Sequence, residues 1–159
     1  MSSPLRIPEL RELVEGLADA PSRWSHLVRH HPDERTYERV VDEPDIEGWL
    51  ICWMPGHDTG FHDHGESSGA ATVVSGKVFE ERLRARGGIV ERVYSAGQTF
   101  DFSRAVIHRV AHAGTEPTVT LHVYSPRILH PGAYTLAAGG VLRRHPVPSG
   151  QELRPLEAA

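Results

Sequence analysis

The chain is predicted to be all-β, an antiparallel β-sandwich or jelly-roll barrel preceded by short N-terminal helices. Three observations lead there. Beyond about residue 35 the sequence breaks into short apolar or alternating runs punctuated by Gly, Pro and Asp, the texture of packed antiparallel strands. Two of the punctuations, Ser75-Gly76-Lys77 and Arg86-Gly87-Gly88, are short enough for hairpins. Helical spacing of apolar residues is confined to the N-terminal stretch. A length of 159 residues suits one domain, read as a helical preamble over about 6–31, a β-barrel over about 35–143 and an irregular tail over 144–159.

Leu10, Leu13, Val14 and Leu17 recur at three- and four-residue steps, which predicts a helix from about Ile7 to Ala20 with Pro8 tolerated in its first turn. A second short helix is expected from Ser22, a plausible cap after Pro21, to His31, where Pro32 stops it. Strands are expected at Tyr37–Val41, Gly48–Met54, Ala70–Ser75, Lys77–Leu83, Ile89–Tyr94, Gln98–Phe102, Ile107–Ala111 and Thr118–Tyr124. Pro146, Pro148, Ser149, Gly150 and Pro155 predict a tail without regular structure.

A formal net charge of −4 with scattered basic residues argues against a nucleic-acid partner. No apolar run approaches the ~18 residues of a membrane span. The single cysteine, Cys52, lies in the apolar run Trp49–Trp53 and reads as a buried inert thiol. The start, Met1 to Arg6, lacks a signal-peptide pattern, so a reducing cytoplasm is the expected compartment. Oligomeric state is not legible.

The chemistry concentrates in His62-Asp63-His64. On a strand, side chains two residues apart share a face, so both imidazoles point the same way. With His108 from a neighbouring strand they would close a triangle of nitrogen ligands around one metal, leaving coordination positions open for chemistry. Asp63 alternates to the opposite face, as a supporting group. Of the remaining histidines, His57 and His112 are expected near the site, and His26, His30, His31, His130 and His145 at the surface.

The glycine spacing around these residues resembles the cupin superfamily. The first cupin motif becomes Gly56-x5-His62-x-His64-x4-Gly69-x6-Gly76, and the second becomes Gly97-x5-Ser103-x-Ala105-x2-His108-x3-His112. The glutamate usual at the third ligand position is replaced by Gly69, reducing the ligand set to His62, His64 and His108. Glu66 is the nearest carboxylate that could substitute, although the Gly65–Gly69 stretch reads as a bulge or turn.

Within that superfamily the chain resembles the cysteine dioxygenase family of thiol dioxygenases. The resemblance rests on Cys52-Trp53, Gly56-His57, His62 to Ser68, His108-Arg109-Val110, Glu116-Pro117 and Leu121 to Pro126, and covers about Tyr37 to Pro126. Thr120-His122-Tyr124 is similar to the family's Ser-x-His-x-Tyr relay. The resemblance implies an Fe(2+) enzyme that adds both atoms of O2 to a small thiol, with L-cysteine giving cysteine sulfinic acid. It also implies that Tyr124, held by His122 and Thr120, donates a hydrogen bond to bound oxygen or to the substrate carboxylate. The family's carboxylate-binding arginine falls on Arg39 in Tyr37-Glu38-Arg39, with Arg35 and Arg104 in reserve. The cysteine that animal members cross-link to the tyrosine corresponds to Gly69, and the tail after Tyr134 resembles nothing in the family. Three alternatives remain: 3-mercaptopropionate or another small thiol as substrate, another cupin enzyme such as an isomerase or a quercetinase-like dioxygenase, or a cupin that binds metal or a small ligand without catalysis.

Overall fold

The computed structural model describes residues 3–156. One helix, α1 (Ile7–Ala18), precedes β1 (Thr36–Glu43), β2 (Ile46–Trp53), β3 (His62–Asp63), β4 (Ser68–Ser75), β5 (Lys77–Leu83), β6 (Ile89–Ser95), β7 (Thr99–Phe102), β8 (His108–His112), β9 (Thr118–Ser125), β10 (Gly132–Leu136) and β11 (Leu142–Pro146). They form two antiparallel sheets, ordered β1-β2-β9-β4-β7 and β11-β10-β3-β8-β5-β6. This is the jelly-roll arrangement the sequence predicted.

Alternation along β2 and β9 builds the layers. Leu50, Cys52, Val119, Leu121 and Val123 face outward and are covered by Leu10, Val14 and Leu17 of α1. Their neighbours Ile51, Trp53 and Tyr124 face inward and pack between the sheets with Val73, Phe100 and Phe102. Strand β9 is therefore buried at every position, which puts the polar inward set Thr120, His122 and Tyr124 inside the sandwich. Cys52, on the outward set, is buried against the helix layer as a free thiol.

Two expectations need correction. The helix expected over Ser22–His31 is instead two 3₁₀ turns, Pro21–Arg23 and Ser25–Leu27. Trp24 buries its ring and donates its indole N–H to the Leu17 carbonyl at 2.8 Å. That anchor holds Trp24 at φ −142°, outside the helical region, and interrupts propagation. The tail is also more ordered than predicted. β11 pairs with β10 through Leu136↔Leu142 to Gly132↔Pro146, and residues beyond it pack back toward the inward face. The last expected tail residues, 157–159, lie outside the described residues.

Candidate metal centre

Only two residues long, β3 sits between β10 and β8 and pairs His62 with His108 across the ladder. His64 follows in the turn. The rings of His62, His64 and His108 are 4.7–5.2 Å apart between centroids, and one ligand nitrogen from each lies within 4.8 Å of the others. All three are buried. His62 Nδ1 donates to the Gly60 carbonyl at 3.0 Å, leaving Nε2 as its free lone pair. His108 Nδ1 donates to Glu80 Oε2 at 2.7 Å. His108 Nε2 and His64 Nδ1 are buried with no hydrogen-bond partner.

An unpaired buried imidazole nitrogen costs ~1–3 kcal/mol, and two converging on one site mark a place where a group that accepts their lone pairs belongs. Burial drives the three imidazoles toward the neutral form, lowering His62 to about 4 and His64 and His108 well below the usual range. Neutral, convergent imidazoles fit a divalent transition metal.

Glu80 is the functional residue that the sequence reading missed. It is 1% exposed, and its second oxygen accepts from Arg82 Nε at 2.8 Å. A carboxylate that receives a ligand histidine's far N–H fixes the ring's tautomer and raises its basicity. The signal was present: period-two alternation puts Glu80 in phase with the buried Val78, where a charged side chain is out of place. Glu66, by contrast, is exposed and pairs with Arg104 at 3.2 Å, so neither the substitute ligand nor that reserve arginine reaches the centre. Asp63 points away from the metal side, accepting from Tyr134 at 2.5 Å, Arg144 Nε at 2.8 Å and the Gly65 N–H at 2.9 Å. Burial opposes its ionisation, but these donors outweigh burial and hold its pKa below the usual carboxylate range.

The inward residues of β9 form one hydrogen-bonded chain. Trp53 Nε1 donates to Thr120 Oγ1 at 2.9 Å, Thr120 Oγ1 lies 2.8 Å from His122 Nε2, and His122 Nδ1 lies 3.2 Å from Tyr124 Oη. An indole can only donate, so Thr120 accepts there and its own proton goes to His122 Nε2. A neutral ring accepting at Nε2 carries its proton on Nδ1 and donates to Tyr124 Oη. The Tyr124 proton is then left to be donated elsewhere. Burial lowers His122 to about 3 and raises Tyr124, so the imidazole stays neutral and the phenol keeps its proton. The Tyr124 ring lies 5.1 Å from that of His64.

These groups open on a cavity of about 500 Å³. Arg39 lies at its rim, stacked 4.6 Å over the Trp49 ring and 3.4 Å from Asp42, with 38% of its side chain exposed. Arg35, four residues earlier on the same side, is the deep one. Its side chain is 1% exposed and lies 4.9 Å over the Trp53 ring. Arg35 Nε donates to Tyr37 Oη at 2.7 Å, and Nη1 is buried with no partner. Of the other histidines, His57 is tied to Met54 N and the Pro32 carbonyl, and His112 to the Glu116 carbonyl, so both serve loops. Arg109 faces away, bound to Asp58 and Glu81.

The fold and the buried three-histidine cluster define a cupin-type protein with a candidate metal centre, and the comparisons place it more closely. Residues 4–135 match the profile of the family described as cysteine dioxygenase type I, and the chain belongs to that family. It is 28% identical over 138 residues to cysteine dioxygenase type 1 of Danio rerio, covering 79% of this chain and 68% of that protein. It is 27% identical over 134 residues to the Homo sapiens protein of the same name, covering 77% of this chain and 66% of that protein. The chain thus spans about two thirds of the length of these relatives. Among solved structures, the TT1209 protein of Thermus thermophilus superposes with a TM-score of 0.58 at 20% identity, covering 65% of this chain and 93% of that one. A double-stranded β-helix protein of Klebsiella pneumoniae gives 0.56 at 20% identity, covering 64% and 80%. These two likenesses concern the fold alone. No helix among the described residues is long and apolar enough to cross a membrane.

Proposed function

We propose that the protein is an Fe(2+)-dependent thiol dioxygenase that converts L-cysteine and O2 to cysteine sulfinic acid. The observation that carries this reading is the convergence, on one cavity, of three neutral buried imidazoles with the Thr120–His122–Tyr124 relay. Passive metal storage gives no reason for a buried phenol whose proton is directed away from its relay.

His62, His64 and His108 would hold the ion, with Glu80 fixing the ring of His108. When bound, ferrous ion would keep the thiol ionised without a separate base and supply the redox capacity to use dioxygen. Arg35 Nη1 is the buried free donor for a substrate carboxylate, the role the sequence assigned to the rim residue Arg39. Tyr124 donates its proton toward the reacting oxygen, held in orientation by His122. Phe102, stacked 4.7 Å from His64, and Trp53 exclude water. The reaction balances without another reductant: a thiolate gains both oxygen atoms, sulfur gives up four electrons and O2 accepts four. A reducing cytoplasm is the compartment that fits a free thiol substrate.

The test is oxygen uptake by the iron-loaded protein with L-cysteine and with 3-mercaptopropionate, with the product identified by mass spectrometry. A mass gain of two oxygen atoms on L-cysteine is expected. No uptake with either thiol would overturn the reading.

A further inference from the structure

The residues that close the cavity come from outside the family match. That match ends at residue 135, whereas Ser149, Gly150, Gln151, Glu152 and Leu153 line the cavity together with the metal-site histidines. The segment packs tightly on the loop that carries the ligands. A Cβ added at Gly60, two residues before His62, would lie 2.7 Å from Pro155 Cα, and Gly60 has φ +67°. Arg35 holds the segment from below. Its Nη2 donates to the Leu153 carbonyl, and its Nε lies 3.3 Å from Glu152 Oε1.

We propose that Glu152 is a specificity-determining residue that tilts this pocket toward zwitterionic amino-acid thiols and away from thiol acids lacking the amine. The proposal rests on the thiol dioxygenase reading. A guanidinium normally offers a two-pronged fork to a carboxylate. Here Tyr37, Glu152 and Leu153 take up Nε and Nη2, so only Nη1 faces an incoming anion. Glu152 also screens the charge of Arg35 at close range through Oε1, while its Oε2 accepts from Arg154 at 2.8 Å. Across the whole lining the same balance holds, with Arg29, Arg35 and Arg39 matched by Glu34, Glu47 and Glu152. The bound ion attracts both thiols alike, so the wall discriminates through what it adds to that attraction, and with Glu152 beside Arg35 a net anion gains little extra Coulombic reward over a zwitterion. Removing the carboxylate at position 152 uncovers Arg35 and favours the anion.

The experiment uses the full-length iron-loaded protein, its Glu152→Gln variant and the conservative Glu152→Asp variant. Measured for each are iron content, kcat/KM for L-cysteine and for 3-mercaptopropionate, and the anaerobic affinity for both thiols by calorimetry. In Glu152→Gln the ratio of 3-mercaptopropionate to L-cysteine, in kcat/KM and in affinity, should rise about three- to tenfold through KM, with iron content unchanged and Glu152→Asp close to the parent. An unchanged ratio, or one that moves toward L-cysteine, overturns the proposal. If the parent binds both thiols but oxidises neither, the dioxygenase reading falls while the affinity ratio still decides the role of Glu152. If neither thiol binds, both fall.

Discussion

Gly69 shows how one missing side chain reshapes the centre. A Cβ at this position would lie 2.6 Å from Phe102 Cζ and 2.9 Å from Tyr124 Cδ1. Phe102 therefore fills the space in which a side chain from position 69 would stand, and stacks on His64 instead. Gly69→Cys should cost about 1–3 kcal/mol by overpacking, read as a lower urea midpoint, and adding Phe102→Leu should recover most of it. If Gly69→Cys is as stable as the parent, Phe102 is not the wedge. Glu80 invites the complementary test, because it supports a ligand without being one. Glu80→Gln should weaken iron retention about 10–100-fold in a chelator competition. Equal retention would reduce Glu80 to a partner for Arg82. The convergence of His62, His64 and His108 was legible from the His-x-His spacing, although only His62 lies on β3 and His64 reaches the same side from the turn that follows. Which arginine lies deeper was not legible, because Arg35, just before β1, and Arg39 within it stand at even spacing, and alternation does not say which of them dips into the cavity.

At the level of elements, β3 is the weak point and Asp63 its brace. Two residues of strand cannot hold two metal ligands in place by ladder hydrogen bonds alone. The outward Asp63 carboxylate binds Tyr134 of β10, Arg144 of β11 and the Gly132 N–H, pinning the C-terminal hairpin to the ligand strand. Asp63→Asn should lower stability by about 1–3 kcal/mol. It should also speed hydrogen exchange in β10 and β11 while sparing β9, which is buried at every position. Uniform acceleration across both sheets would mean that Asp63 supports the whole sandwich and not this hairpin. The central strands were legible from apolar alternation, whereas β10 and β11 were not. Gly132-Ala133-Tyr134 and Leu142-Arg143-Arg144 carry little apolar signal, and their pairing depends on Asp63, far away in sequence. The same holds for Glu152 and Leu153, whose place over Arg35 is a long-range contact with no local pattern.

For the molecule as a whole, a cluster of buried neutral histidines sets how stability responds to acid. Burial lowers His62 to about 4 and His122 to about 3, and takes His64 and His108 down as well. In the unfolded chain each returns to ~6.5. Below that pH the unfolded state binds more protons than the folded one, so stability falls as pH is lowered, until each folded-state value is passed. One such group costs about 1.4 kcal/mol per pH unit. Against a typical net stability of ~5–15 kcal/mol, several together should unfold the metal-free protein between about pH 6 and pH 4. Asp63 destabilises on acidification too, but starting lower: its lowered pKa adds stability that is lost only below ~3.9, after the histidines have begun to act at ~6.5. A metal held by three imidazoles competes with their protons, so the loaded protein should keep its Tm to lower pH than the metal-free form, until protons displace the ion. Thermal melts of both forms across pH 4–8 measure this. Coincident curves for the two forms would mean that the bound ion does not sit on His62, His64 and His108.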